Sequence, residues 1–215
     1  MRFSSKEMMT MPKIYTEAEK QEHKNILYEK GLAFFYEQGY KNINIDKMVG
    51  LIGVSKGYFY LLFDSKEEFF LGALLWHMNN NYKKLYELKE NGTKTSELIK
   101  IYLEDTANAP YARITDYVTV YQKIDPKLLK DFMKPREDYY RKLLMIFEKD
   151  SSLENAHILA NMVLDIHFSK LVNLKTNIGF SDAADKTLQL LLQATEDFIK
   201  KLPTDKKSYK ELKAE

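Results

Sequence analysis

Asn44-Ile45-Asp46-Lys47-Met48-Val49-Gly50-Leu51-Ile52-Gly53-Val54-Ser55-Lys56-Gly57-Tyr58-Phe59-Tyr60-Leu61-Leu62-Phe63 is the stretch that decides the fold. Ile45, Met48 and Ile52 recur at helical spacing and predict a short helix over about 45–51. Val54, Phe59 and Phe63 close a small core from the other side, with a second short helix over about 55–62. Gly53 can take the backbone conformation a tight turn needs, and Ser55 is a good N-cap for the helix that follows. Two short helices joined in this way form a helix-turn-helix, whose second helix can enter the major groove of DNA. That helix is expected to expose Lys56, Tyr58, Tyr60 and Leu61. Lysine and tyrosine suit phosphates or base edges, and leucine suits a thymine methyl. Gly57 costs about 1 kcal/mol inside a helix, which a backbone passing close to DNA would explain. On pattern alone, a generic three-helix core with glycines at its helix ends is the other reading.

Outward from this stretch the chain reads as helix nearly throughout. A helix is expected over 16–38, its apolar face made by Ile26, Leu27, Leu32, Phe34 and Phe35, with Gly39 ending it in the left-handed conformation. Ser65 starts a long helix, with Glu67 and Glu68 where the helix dipole favours negative charge. Further helices are expected over 96–108, 110–122, 135–149, 153–175 and 182–202, with a short one from Asp125-Pro126 to Pro135. The fold class is all-α. A three-helix head with the helix-turn-helix spans 12–64, a helical domain for regulation and dimerisation spans 65–203, and a solvated tail spans 204–215.

Composition narrows the function. The 215 residues are 45% hydrophobic and 30% charged, ordinary for a globular chain. The net charge of +2 is too small to argue nucleic-acid binding by itself. Cysteine is absent, which excludes disulfides, thiolate metal sites and cysteine nucleophiles. Neither a membrane span nor a signal peptide is read, so a cytoplasmic protein is expected. The four histidines show no paired ligand spacing, and neither a Gly-rich phosphate loop nor a Ser-His-Asp ordering stands out. No metal, cofactor or catalytic residue is therefore expected.

The run Gly53-Val54-Ser55-Lys56-Gly57-Tyr58-Phe59-Tyr60, then Phe63-Asp64-Ser65-Lys66-Glu67-Glu68, closely resembles the signature of the tetracycline-repressor (TetR) family. So does Phe34-Phe35-Tyr36-Glu37-Gln38-Gly39-Tyr40 followed by Asn44-Ile45-Asp46-Lys47-Met48-Val49. The resemblance covers about residues 24–71. It implies a homodimeric repressor on a near-palindromic site in double-stranded DNA, released when a small molecule binds the C-terminal domain. By position, it implies that Tyr60 and Lys66 hold phosphates and that Ser55, Lys56, Gly57, Tyr58 and Leu61 face the groove. Asn44, with Lys47 in the same helix, joins the set at the start of the preceding helix. Val49-Gly50, Asp46 and Leu62 depart from the usual pattern.

In the C-terminal part, Leu188, Leu191, Leu192, Thr195, Phe198, Ile199 and Leu202 form one helical stripe. The helix before it is apolar nearly all round, as a helix buried on two sides must be. A subunit interface or the centre of a monomeric bundle would supply the second side. The resemblance implies an intersubunit four-helix bundle. A mostly apolar ligand is expected among Trp76, Tyr102, Tyr117, Tyr121, Tyr139, Asp165 and His167, with Glu104 or Asp165 able to hold a cation. The alternative is a DNA-binding activator or architectural protein controlled by a protein partner.

Overall fold

The computed structural model describes residues 15–109, 114–171 and 183–212, almost all of them helical. The helices are α1 (Glu17–Gln38), α2 (Ile45–Gly50), α3 (Lys56–Leu62), α4 (Lys66–Glu90), α5 (Thr95–Asn108), α6 (Ile114–Lys123), α7 (Pro126–Ile146), α8 (Leu153–Leu171), α9 (Ala184–Lys201) and α10 (Lys206–Leu212). Among the described residues no helix is long and apolar enough to cross a membrane.

Local chemistry sets the helix starts. Thr16 forms a capping box with Glu19 at α1. Asn44 Oδ1 accepts from the Lys47 N–H at 3.3 Å, Ser55 Oγ from the Tyr58 N–H at 3.2 Å and Ser65 Oγ from the Glu68 N–H at 3.0 Å. Each satisfies a donor that a helix start leaves without an intrahelical partner. Between α2 and α3, Gly53 sits at φ 69°. Its N–H donates to the Gly50 carbonyl at 3.3 Å, and the Val54 N–H to the Val49 carbonyl at 3.1 Å. This pair of bonds closes a helix at a left-handed residue, where a side chain would be strained. Gly39 also has positive φ, but with ψ 156° it is extended and not left-handed helical.

Two expectations fail. Pro135 does not separate two helices, because α7 runs through it. The proline lies on the exposed side, where water can serve the carbonyl left without its N–H. Residues 129, 132, 133, 136, 140, 143 and 144 keep one inner face continuous across it. The segment after Pro203 is not a solvated tail either. The Asp150 N–H donates to the Pro203 carbonyl at 2.9 Å and the Asp205 N–H to the Glu148 carbonyl at 2.8 Å. Helix α10 then buries Ser208 and Leu212, and Tyr209 hydrogen-bonds to Glu90. The expected caps at Ser181-Asp182 lie outside the described residues.

The interior has two cores. The first gathers Leu27, Leu32 and Phe35 of α1, Ile45, Met48 and Val49 of α2, Phe59 and Leu62 of α3, and Phe69 to Leu71 of α4. Val120 of α6 and Phe132 of α7 belong to it as well, so the head is packed directly onto the C-terminal helices. The second core joins the far part of α4 to α5, α7, α8, α9 and α10.

At the centre of the first core lies Phe69, fully buried. Its ring is 5.0 Å from that of Phe63, 5.3 Å from Phe59, 5.7 Å from Tyr28 and 5.8 Å from Phe35. It fits only because α1 carries Gly31, where a Cβ would come within 2.3 Å of the Phe69 ring. Gly72 makes the reciprocal approach, with 2.6 Å between a Cβ and the Tyr28 hydroxyl. Alanine in a helix gains about 1 kcal/mol over glycine, whereas overpacking a fixed core costs about 1–3 kcal/mol. Gly31→Ala should therefore destabilise the protein in urea unfolding. Gly72→Ala should be neutral or stabilising, because only the tip of a half-buried tyrosine must move. A Gly31→Ala protein as stable as the wild type would show that Phe69 is free to move.

Candidate nucleic-acid interface and ligand cavity

The α2–α3 unit presents an exposed face made of Asn44, Lys47, Ser55, Lys56, Gly57, Tyr60 and Leu61. Tyr60 is 49% exposed and Leu61 67%. Lys56 Nζ pairs with Asp46 at 3.2 Å, linking the exposed sides of the two helices. Among the described residues, a Cβ on Gly57 would meet only Ser55 Oγ at 3.7 Å, so none of them requires glycine there. Gly50 likewise faces open space, while Val49 and Leu62 are buried in the head core. Leu51, passed over in the sequence, is also exposed on this unit.

Tyr58 departs from expectation. It is 7% exposed, because its side of α3 turns towards α1. Its ring lies 4.4 Å from that of Tyr15, and a 2.9 Å hydrogen bond joins its hydroxyl to His23 Nδ1. Lys66, at the first turn of α4, is drawn inwards. Its ammonium donates to the Ile43 carbonyl at 3.3 Å and lies 4.4 Å from the centre of the Tyr40 ring. Burial lowers its pKa, and Tyr40 in turn hydrogen-bonds to Glu67.

Where the two cores meet there is a cavity of about 440 Å³. Tyr36 of α1, Leu74, His77 and Met78 of α4, Tyr121 of α6, Phe132, Arg136 and Tyr140 of α7, and His167 and Phe168 of α8 are among its lining. Of the residues expected there, Tyr121 and His167 line it. The Tyr117 side chain lies outside the described residues. Trp76 is half-buried against the head core, one position from His77, which lines the cavity. Tyr139 is buried in the second core, while its neighbour Tyr140 faces the space. Tyr102 lies in that core too, its ring 5.8 Å from Phe147. Asp165 and Glu104 are exposed and absent from the lining, so neither carboxylate can hold a cation there.

The electrostatics of the cavity come from buried bases. Burial, then the charge of Lys170, then His77 push the His167 pKa down to about 4, and burial lowers that of His77. Both imidazoles are therefore neutral at pH 7. His167 Nε2 is buried and has no hydrogen-bond partner among the described residues. Lys170, one turn on, donates to the Thr106 carbonyl at 2.8 Å and the Ala109 carbonyl at 3.0 Å, serving the end of α5. Burial brings its pKa down to about 8.

The shift at His167 has a consequence for stability. In the unfolded chain the imidazole takes a proton near pH 6.5, whereas in the folded chain it does so only near pH 4. Stability is therefore lost as pH falls from about 6.5 to about 4, by an amount on the order of 3 kcal/mol, and no further below that. His167→Gln should flatten this limb of the stability–pH profile in urea titrations. A profile of unchanged slope would mean that His167 is not buried as described. In the head, Tyr58→Phe should cost about 0.5–1.5 kcal/mol through the lost bond to His23, read as a lower urea midpoint.

Residues 27–73 match the family described as bacterial regulatory proteins, tetR family. Among solved structures, the reduced form of Escherichia coli NemR has a TM-score of 0.54 at 18% identity, over 85% of this chain and 98% of that one. A protein from Saccharomonospora viridis, described as a transcriptional regulator and solved with choline, has a TM-score of 0.53 at 17% identity, over 84% and 97%. A TetR/AcrR-family regulator has a TM-score of 0.53 at 19% identity, over 86% and 100%. No curated protein matches the chain. The protein thus resembles the TetR family of transcriptional regulators, with that family's sequence pattern in its head and a TetR-type helical fold behind it.

Proposed function

We propose that the protein is a cytoplasmic homodimeric repressor that leaves its operator when a small molecule fills the cavity. The cavity's position carries this reading, since residues of α1 and α4 that pack in the head core also line the space reached from α7 and α8. A molecule bound there touches the head and the C-terminal helices at once. It can favour one placement of the head over another, which is the requirement for control. A thiol-based redox response is excluded, because the chain has no cysteine.

The DNA contacts follow from the exposed face. In this reading Tyr60 holds a phosphate, Ser55, Lys56, Gly57 and Leu61 face the groove, and Asn44 and Lys47 flank them. Lys56 must leave Asp46 to reach a base or phosphate. Lys66 supports the interface through the Ile43 carbonyl, and Tyr58 supports it from behind. Selection from random DNA should return near-palindromic sites with half-sites about 34–36 Å apart, or a small adjustment from it. On such a site, Tyr60→Phe should weaken binding to all sequences alike, because phosphates carry no sequence information. Lys56→Ala should instead relax discrimination at particular positions, by about 1–3 kcal/mol. Gly57→Ala should keep the fold yet lose affinity, because the space its Cβ would enter is the space DNA occupies. If gel shifts show all three variants binding like the wild type, this face is not the interface.

For the dimer, α8 and α9 pack on each other through Ala160, Val163 and Ile199 while leaving Ile158 and Leu190 outside, the latter 63% exposed. Ile158→Asp with Leu190→Asp should leave the subunit helical and convert the dimer to monomers in sedimentation. A wild-type protein that is monomeric at micromolar concentration contradicts the assembly.

A further inference from the structure

Among the described residues, the lining of the cavity contains no carboxylate. Arg136 reaches it from α7 and forms no ion pair among the described residues, while its guanidinium carbon lies 5.5 Å from the centre of the Tyr140 ring. His167 brings a buried, unpartnered Nε2 from α8, and Lys170 keeps a second positive charge near it. The carboxylate that acts on His77 is Asp105, which is paired with Lys84 at 2.6 Å. Much of the wall is apolar, including Leu74, Met78, Leu129, Phe132, Met133 and Phe168, with Asn161 and the hydroxyl-bearing Tyr36 and Tyr121 beside them.

These groups rank the possible occupants. A cation would meet Arg136, and the Tyr140 face that could attract it already holds the guanidinium. A purely apolar molecule would leave the guanidinium without an anion and the buried Nε2 without a partner. A carboxylate answers both at once, because a guanidinium presents paired donors and a neutral imidazole that carries its proton on Nε2 donates one N–H there. We infer that the cavity takes an organic monoanion, an apolar body carrying one carboxylate received by Arg136 and His167. The inference rests on the reading of the cavity as the effector site and names the chemical class of the effector. A volume of about 440 Å³ falls within the 300–1,000 Å³ of small-molecule sites.

The test uses the full-length protein and five probes: decanoate, 2-naphthoate, their two neutral amides, and decyltrimethylammonium. Binding is measured by calorimetry, and operator affinity by gel shift with each probe. At least one acid should bind about tenfold or more tightly than its own amide, as expected for a charge-assisted bond, and the cation should bind more weakly than either acid. Which acid prevails separates a chain-like ligand from a flat one. Arg136→Met should bring the acid-to-amide ratio towards one while leaving amide binding in place, and Arg136→Lys should retain part of the preference. His167→Gln should reduce the preference less than Arg136→Met. Equal binding of acid and amide, tighter binding of the cation, an acid preference intact in Arg136→Met, or binding of none of the five would each overturn the inference. Acid-selective binding that leaves operator affinity unchanged would uphold the ligand class and remove the effector role.

Discussion

The arrangement depends on one crossing, that of α1 over α4 with Phe69 pinned between them. Gly31 removes the side chain that would stand where the Phe69 ring lies, so two helices approach closely around an aromatic residue. Phe59 and Phe63 then pack against the same ring, which fixes α3, and through the Gly53 turn fixes α2. The exposed face of α3 is oriented by an interaction at the root of α4. Interiors at crystal-like density do not deform smoothly, so a shift of α4 carries the exposed face of α3 with it. At about 1.5 Å per residue, the 25 residues of α4 extend this link by some 37 Å into the second core.

That geometry explains why the cavity sits where it does. Two cores that share α4 and α7 meet at a seam, and side chains from two separately packed sets do not fill it completely. Tyr36 comes from the head, Met78 from midway along α4, and Tyr140 from the second core. The vacant volume is lined by residues of both cores. Arg136 and His167 come from the same two helices, α7 and α8, that are joined outside the cavity by Glu137 and His157 at 3.1 Å.

How much of this was legible in the sequence depended on whether the signal was local. The caps at Asn44, Ser55, Ser65 and Asp125 and the turn at Gly53 were readable, because each reports a bond made within a few residues. The helix-turn-helix was readable for the same reason. The break at Pro135 was misread because a local rule was applied against a longer one. Leu129, Phe132, Met133, Arg136 and Tyr140 form a stripe at helical spacing straight through the proline, and the stripe prevailed. The cavity was half-legible in a specific way. Tyr121 and His167 were expected and line the space, whereas for Trp76 and Tyr139 it is the next residue, His77 and Tyr140, that does so. On α4 and α7 the expected face is therefore rotated by about 100° from the one that meets the cavity. Where both faces of a helix are apolar, periodicity cannot say which one meets a void. Tyr58 was misplaced because its partners, Tyr15 and His23, lie some forty residues earlier.

The magnitude of control that such a site can exert is bounded by how differently the ligand meets the two placements of the head. A ligand bound equally by both shifts nothing, however tight it is, and a change from 1:99 to 99:1 needs about 10⁴-fold selectivity, or about 5.5 kcal/mol. Apolar contacts alone vary little with small displacements of a wall. A charge-assisted hydrogen bond is directional and is lost when its donor rotates away. Selectivity therefore concentrates in the polar contacts. Arg136 and His167 lie on α7 and α8, while Tyr36 and Leu74 lie on the helices of the head. A ligand anchored through its anion to the first pair presents its apolar body to the second, so anchor and lever are on opposite sides of the seam. An occupant without the anchor fills the same volume but can turn within it, and that loses the dependence on head position that control requires.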